Sequence, residues 1–121
     1  MEESILESIK RALGFTKEYT YFDQDVLMNI NSVCMVLTQL GVGPPDGFFV
    51  SGYDQTWADY LTNGKQLMAV RTYIYIKVRL VIDPPSSSFV LEALKKNADE
   101  LEWRLQIKAE NDRKEAENIN E

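Results

Sequence analysis

The chain has 121 residues, with 13 Lys and Arg against 19 Asp and Glu, and so a formal net charge of −6. This length predicts one domain with a buried core, and the acidic balance excludes the basic surface that a sequence-reading DNA-binding protein needs. The chain has no histidine and one cysteine, which excludes Ser-His and Cys-His catalysis, histidine-based metal sites and an internal disulfide.

The first predicted element is a short helix over residues 2–13, followed by Gly14 at the position of a helix C-cap. The acidic start MEESILESIK lacks the basic and apolar regions of a signal peptide, and no run of about 18 apolar residues follows it. We therefore expect neither a leader peptide nor a membrane partner. The apolar residues of this helix recur at helical spacing and share one stripe, formed by Ile5, Leu6, Ile9, Ala12 and Leu13.

The second predicted helix has Asp23 as its N-cap and ends at Gly41. Met28 and Met35 are seven residues apart and lie on the side opposite the apolar stripe. They are either tolerated surface methionines or a contact face for a neighbouring subunit, since methionine is common at adaptable interfaces. The apolar stripe assigned to the core comprises Val26, Leu27, Ile30, Val33, Cys34, Leu37 and Leu40.

Residues 41–55 contain the Pro and Gly residues of turns and are predicted to form a loop. Within this loop, residues 48–50 (FFV) are expected to form a very short strand. Adjacent side chains of an extended segment point in opposite directions, so one phenylalanine should pack on the core while the other is partly exposed. Alternatively, the loop inserts into a neighbouring subunit. After the loop, Thr56 and Asp59 have the spacing of a capping box for a short helix.

Residues 65–83 contain a pattern that favours two different structures. In TYIYIKVRLVI, aliphatic residues occupy every second position, which is typical of a strand. The segment contains no Gly or Pro, however, and is much longer than the usual strand of about 5–6 residues. As a helix it is apolar around nearly its whole circumference and must be central. The pattern alone leaves strand and helix equally favoured.

A long final helix follows the sequence Asp83-Pro84-Pro85, because the residue before proline avoids the helical region, and Ser86–Ser88 are placed to cap it. Phe89, Trp103 and Ile107 lie on a face separate from its core stripe. A second apolar face exceeds what one small domain needs, so we interpret it as an intersubunit contact. The core stripe comprises Val90, Leu91, Leu94, Ala98, Leu101 and Leu105.

The last segment, residues 108–121, is dominated by charged side chains (KAENDRKEAENINE). This composition predicts a frayed or disordered tail unless a partner holds it in place. We therefore divide the chain into a helical domain, residues 1–107, and a charged tail, residues 108–121, that is ordered by a partner.

The sequence contains no motif for catalysis or cofactor binding. Gly41, Gly43 and Gly47 lack the spacing of a dinucleotide-binding fingerprint and follow a helix rather than a strand. Cys34 falls within a core stripe, where an inert buried thiol is expected rather than a nucleophile. No carboxylates have the spacing of a calcium-binding loop. We therefore expect no metal, no cofactor and no enzymatic activity.

A set of motifs spread over residues 4–107 is characteristic of one family. These motifs are Asn31-Ser32, the segment QLGVGP from Gln39 to Pro44, Trp57, Lys77-Val78-Arg79-Leu80, Asp83-Pro84-Pro85 and Glu102-Trp103-Arg104-Leu105. Together they resemble the small head–tail connector (adaptor) proteins of long-tailed bacteriophages and prophages of Gram-positive hosts, also labelled DNA-packaging proteins. The strongest match runs from Tyr73 through Pro85 into Ser87-Ser88, and the tail beyond Ile107 matches no part of the pattern.

The resemblance implies an all-α fold, a small bundle of four to five helices with an aromatic loop between helices 2 and 3 and a long C-terminal helix. It favours helix over strand for residues 72–82. It also implies a ring of about twelve copies beneath the portal of the virion, assembled in the host cytoplasm and joined to the stopper or tail-completion protein. Genomic DNA would pass through the lumen without specific binding.

Interface residues follow from combining this expected ring with the apolar faces described above. The subunit-interface candidates are Met28, Met35, Phe48, Phe49, Phe89, Trp103 and Ile107. Family members contact the portal largely through C-terminal segments, so the portal-binding candidates are Lys108, Arg113, Lys114 and Ile119.

A second hypothesis also fits the acidic composition and the extra apolar faces. It is a small acidic helical regulatory protein that binds a partner helix or mimics DNA. A one-to-one complex in solution would favour this hypothesis, whereas a high-order ring would favour the connector.

Overall fold

The computed structural model describes residues 3–62, 64 and 66–119 and contains five helices and no strand within them. The predicted all-α fold, with a loop between the second and third helices and a long C-terminal helix, is confirmed. The helices are α1 (Ile5–Ala12), α2 (Asp23–Leu40), α3 (Trp57–Tyr60), α4 (Leu67–Ile82) and α5 (Ser88–Ile119).

Helix α4 is the centre of the bundle and packs against both α2 and α5. Tyr73, Ile74 and Ile76 are all buried although they lie on different sides of the helix. Burial on several sides weakens the 3.6-residue periodicity in the sequence, and the exposed side of the helix carries the apolar Met68 as well as polar residues. The helix favoured by the family resemblance is therefore confirmed, and the strand alternative is wrong.

The short helix α1 is held by backbone and side-chain contacts to the segment before α3. The Ile5 amide donates to the Gln55 carbonyl at 3.0 Å, and the Trp57 indole nitrogen donates to the Ser8 hydroxyl at 2.8 Å. Such docking is needed because an isolated helix of this length is marginal in water. Of the predicted stripe, Ala12 is exposed, while the residues that enter the core are Ile5, Leu6 and Ile9.

The predicted N-cap of α2 is wrong in one respect. Phe22 precedes the helix and makes no side-chain capping bond, and Asp23 is the first helical residue. The carboxylate of Asp23 instead pairs with the ammonium of Lys10 at 2.7 Å. A buried cation competes for this carboxylate more strongly than a solvent-accessible backbone amide does. The predicted end of α2 is confirmed, since Gly41 adopts a left-handed conformation with φ of 91°.

The capping box before α3 is confirmed, with Thr56 and Asp59 bonding to each other's backbone amides at 3.1 and 3.0 Å. The predicted strand at residues 48–50 is wrong, because this segment is irregular and pairs with a side chain rather than with another strand.

Helix α5 begins where the serines predicted, with the Val90 amide donating to the Ser87 hydroxyl at 3.4 Å. Tyr73 of α4 donates to the Glu102 carboxylate at 2.5 Å and so fixes α5 against α4. The assignment of Val90 to the core is wrong, since 41% of it is exposed. None of residues 88–97 is fully buried, although Leu94 is partly buried and packs against the core.

Helix α5 continues to Ile119 without a break at residue 107, so the expectation of a frayed tail is not met for residues 108–119. Lys108 and Asp112 form an ion pair at 3.1 Å, which supports this part of the helix. A Cβ added at Gly41 would lie 3.2 Å from the Cβ of Ala109. Helix α5 therefore passes close over the end of α2.

Candidate functional site

One exposed apolar surface lies on the outer side of α2. Met28, Met35 and Phe49 are 62%, 61% and 68% exposed, and together they line two adjoining shallow grooves of about 470 and 490 Å³. The core residues of α2 point to the opposite side of the helix. We call the surface formed by these three side chains the α2 groove. The sequence predicted all three as interface residues, and the structure brings them together.

The loop that carries Phe49 is fixed by one side chain of α2. The Asn31 amide donates to the Val50 carbonyl at 3.0 Å, and the Val50 amide donates to the Asn31 side-chain oxygen at 2.7 Å. Asn31 thus replaces the neighbouring strand that this segment lacks. Because Val50 is buried and Phe48 stacks on Tyr60 at 4.6 Å between ring centroids, Phe49 points outwards. Phe48 therefore packs on the core of its own subunit.

A second exposed apolar surface lies along α5. Phe89, Trp103 and Ile107 are 83%, 62% and 38% exposed and fall on the side of the helix opposite the buried Ala98 and Leu105. We call these three residues the α5 stripe. As predicted from their spacing, they are separate from the core face of the helix.

The four predicted portal-binding residues differ in their surroundings. Lys108 is half-exposed, pairs with Asp112 and lines a cleft of about 430 Å³ between α5 and the loop after α2. Arg113 and Lys114 are exposed and make no ion pair within the described residues. Ile119 is the last residue of α5, and its side chain lies outside the described part of the structure.

The sequence analysis missed an aromatic cluster in the loop between α1 and α2. Phe15, Tyr19 and Tyr21 surround Phe22, with ring centroids 5.6, 6.2 and 4.9 Å from that of Phe22. Tyr21 is 79% exposed. The signal was available in the sequence, because FTKEYTYF places four aromatic residues within eight positions.

Next to this cluster lies a polar network that is buried within the domain. The Lys10 ammonium contacts the Asp23 carboxylate and the Tyr53 hydroxyl, both at 2.7 Å, and donates to the Lys17 carbonyl at 3.1 Å. Burial alone lowers the pKa of Lys10, but its bonds to Asp23 and Tyr53 outweigh this effect and raise the pKa above its ordinary value. All three protons of the ammonium have acceptors, so the group is a structural anchor.

The described residues contain no cluster of three or more His, Cys, Asp or Glu side chains that could hold a metal ion. In the same part of the chain, no helix combines the length and apolar character needed to cross a membrane. The features that the structure does offer are two apolar surfaces and a charged helix end, which are suited to binding other proteins.

Burial raises the pKa of Cys34 to about 11, and the adjacent Tyr60 hydroxyl opposes this effect only in part. The folded state therefore keeps the thiol proton while the unfolded chain begins to lose it near pH 9. We expect the Cys34 contribution to the free energy of unfolding to fall by about 2 kcal/mol between pH 9 and 11. Urea unfolding between pH 9 and 11 measures this change in the free energy of unfolding. Cys34→Ala is the control, because it lacks the thiol and so lacks this part of the pH dependence. An equal slope in both proteins would contradict the prediction.

Comparison with known families identifies the relationship of this chain. A family model described as phage connector protein matches residues 5–112, from the start of α1 to the last turns of α5. The chain belongs to the phage connector protein family. None of the curated proteins and none of the solved structures compared with it matches.

Membership confirms the resemblance to head–tail connectors that the sequence motifs indicated. Phage connectors are structural proteins that join other head and tail components, so this chain is a structural protein of the virion.

Proposed function

We propose that this connector forms a ring of about twelve copies beneath the portal and joins the capsid vertex to the stopper or tail-completion protein. The observation that carries the proposal is the family match over residues 5–112. The two separate apolar surfaces support it, because a ring subunit contacts its two neighbours through different patches. The subunits are made in the host cytoplasm and are incorporated at the head–tail interface.

The ring encloses a channel through which genomic DNA passes without specific binding. The net charge of −6 suits this role, because a basic lining would bind the phosphates and slow the passage of DNA. The segment from Glu18 to Gly64 contains carboxylates but no Lys or Arg, so a large part of the subunit cannot hold a phosphate by ion pairing.

The portal is bound by residues 108–121, of which residues 108–119 form the end of α5. Residues 113–118 are exposed along the whole length of that segment and carry Arg113 and Lys114. A helix end with so little packing is marginal alone and gains stability when a partner covers it. In this proposal the partner stabilises a helix end that residues 108–119 already form.

Truncation after Ile107 is expected to weaken binding to portal particles by about tenfold or more, because the proposed contact segment is removed. The core residues of α5 remain, so the truncated chain should still unfold cooperatively. Co-sedimentation with purified portal measures binding, and circular dichroism checks the fold. Full-length R113Q/K114Q is the matched variant that removes only the charges. Unchanged sedimentation of the truncated chain would contradict this mode of attachment.

Native mass and particle symmetry test the ring itself. The proposal predicts a closed high-order ring in virions, at the vertex that carries the portal. A stable one-to-one complex with a single non-virion protein would instead support the regulatory hypothesis.

A further inference from the structure

We infer that two free copies of this chain associate through their α5 stripes, with the two helices antiparallel and Trp103 at the centre. The occupant of this surface is thus a second copy of the same chain. The pairing is a property of the free chain and goes beyond the proposed ring, because a two-fold pair is closed and leaves no α5 stripe for a further copy.

The α5 stripe belongs to a longer outer face of the helix that also carries four charged residues. At 3.6 residues per turn, these four residues lie within about 20° of Trp103 around the helix axis. The buried residues Ala98 and Leu105 lie on the opposite side of the helix. The four charged residues, all at least partly exposed, are Glu92, Lys96, Glu110 and Lys114.

These charges are placed symmetrically about Trp103, with opposite signs on its two sides. Lys96 lies seven residues before Trp103, and Glu110 lies seven residues after it. Glu92 lies eleven residues before Trp103, and Lys114 lies eleven residues after it. When a second α5 runs in the opposite direction with Trp103 facing Trp103, each of these lysines therefore faces a glutamate of the other copy.

The same charges disfavour the other arrangements of two α5 helices. In a parallel pair every residue faces its own counterpart, so Lys96 meets Lys96 and Glu110 meets Glu110. An antiparallel pair shifted by about one turn places Glu92 opposite Glu110, or Lys96 opposite Lys114. Like charges brought together across an interface disfavour an association, whereas opposite charges steer it. The charge pattern thus selects one direction and one register.

Two further carboxylates lie at the edges of this outer face and do not oppose the pairing. In the selected register Asp99 faces Ile107 of the second copy, and Glu100 faces Gln106, so neither meets a like charge. Glu100 also forms an ion pair with Arg104 of its own helix at 2.7 Å.

The charges that face the second copy are available for new contacts. Lys96, Glu110 and Lys114 form no ion pair within the described residues. Glu92 contacts Lys95 of its own helix at 3.7 Å, and both side chains are more than half exposed. An exposed ion pair of this kind contributes little, so it does not compete strongly with a lysine of the second copy.

The apolar residues of the stripe lie along the centre of the paired helices. Trp103 is 62% exposed and lies where the two copies are closest, and tryptophan is enriched among the residues that dominate binding energy at interfaces. Ile107 is one turn from it on the same face. Phe89 lies near the end of the pair, opposite residues 114–118 of the second copy, where the apolar stem of Lys114 covers its ring.

The pair covers part of the segment proposed to bind the portal, because Lys114 belongs to both surfaces. Two paired copies must therefore separate before the end of α5 binds the portal, and also before the α5 stripe contacts a neighbour in the ring. Pairing thus competes with assembly and lowers the concentration of free chain that is ready for it.

Charge exchange in the full-length chain tests the pairing. K96E/K114E places glutamate at all four charged positions, and E92K/E110K places lysine at all four. Each variant alone should pair at least about tenfold more weakly than the wild type, whereas an equimolar mixture of the two should associate one to one. Sedimentation equilibrium measures the association, and circular dichroism checks that each variant is folded.

The fourfold variant E92K/K96E/E110K/K114E is the matched control, because it keeps the wild-type net charge and restores opposite signs at every facing position. It should pair with itself as the wild type does, but should not pair with the wild type. Trp103→Asp should abolish pairing, since it places two carboxylates at the centre. Tyr21→Asp, which changes an aromatic side chain that is 79% exposed elsewhere on the molecule, should leave pairing unchanged.

A free wild-type chain that stays monomeric up to about 1 mM, or that forms rings rather than pairs, would overturn the inference. A folded fourfold variant that pairs no better than K96E/K114E would overturn it as well, because the charge symmetry about Trp103 would then not decide the association. These measurements use the free chain, so the proposed function is tested separately by the symmetry of assembled particles.

Discussion

Asp23→Ala is expected to lower the free energy of unfolding by about 3–5 kcal/mol, which is the cost of leaving a buried charge without its partner. Lys10 is only 1% exposed, and among the described residues Asp23 provides its one carboxylate, at 2.7 Å. The neutral acceptors on Tyr53 and Lys17 cannot replace that negative charge. Urea unfolding at neutral pH measures the loss.

Asp25→Ala is the matched control, because Asp25 lies in the same first turn of α2 but is exposed and makes no ion pair within the described residues. Both substitutions remove the same favourable interaction with the helix dipole, which is worth about 0.3–1 kcal/mol. The difference between the two variants therefore isolates the buried contacts of Asp23, which are the ion pair with Lys10 and a 3.4 Å hydrogen bond accepted from the Tyr53 hydroxyl.

The double variant K10M/D23A should recover most of the loss, since a buried ion pair replaced by apolar groups is often neutral. Tyr53 keeps a partner in this variant, because its hydroxyl lies 3.2 Å from the Lys17 carbonyl. A double variant that is as unstable as the sum of the single variants would show that the two charges act independently and would contradict the proposed coupling.

The same network contributes to the loss of stability at alkaline pH. The folded pKa of Lys10 is raised above its unfolded value, so its contribution is fully present below about pH 10.5 and is lost as pH rises through the folded pKa. The free energy of unfolding of K10M should therefore lack the part of the decrease at alkaline pH that comes from Lys10.

The network also marks a limit of sequence-based prediction. Local spacing placed the start of α2 to within one residue but assigned the Asp23 side chain to capping. Its actual partner, Lys10, lies thirteen residues earlier in the chain, outside any local pattern. Lys10 lies in the last turn of α1, where the helix dipole favours a basic side chain whether or not it is buried. Only the tertiary contact with Tyr53, 43 residues later, shows why it is buried.

Periodicity predicted those helices that have one buried face. It placed Met28 and Met35 on the outside of α2 and separated Trp103 from the core of α5, and the structure agrees. It failed for α4, whose burial on several sides weakens the period. For this segment the family resemblance correctly favoured a helix over a strand.

For Phe48 and Phe49 the sequence predicted that one would be buried and one exposed, but not which. The choice depends on Tyr60, which stacks on Phe48, and on Asn31, which holds the next residue. These contacts join parts of the chain that no local pattern relates. The sequence could therefore predict that the loop exposes one phenylalanine, but not that Phe49 is the one in the α2 groove.

Gly43→Ala is expected to destabilise the fold by about 2–5 kcal/mol through two separate effects. Gly43 has φ of 83°, a conformation that costs a residue with a side chain about 1–2 kcal/mol. A Cβ at this position would also lie 2.5 Å from Cε1 of Tyr60. Overpacking of this kind typically costs a further 1–3 kcal/mol, roughly.

Tyr60 cannot easily move aside. It is 1% exposed, and its ring stacks on Phe48 with an interplanar angle of 15°. Gly14→Ala is therefore an informative control, because Gly14 has a similar φ of 90° but no atom within 4 Å of the added Cβ. Gly14→Ala should show only the conformational cost, and thermal or urea unfolding of both variants measures the difference.

G43A/Y60L separates the clash from the backbone strain. Removing the ring removes the clash, so the double variant should be more stable than the sum of the two single effects by at least about 1 kcal/mol. Equal costs for Gly43→Ala and Gly14→Ala would show that the close approach to Tyr60 does not matter. Because α5 passes over Gly41 at Ala109, a displaced loop should also loosen the end of α5. Faster hydrogen exchange in residues 106–118 of Gly43→Ala, with Gly14→Ala unchanged there, would connect this glycine to the segment proposed to bind the portal.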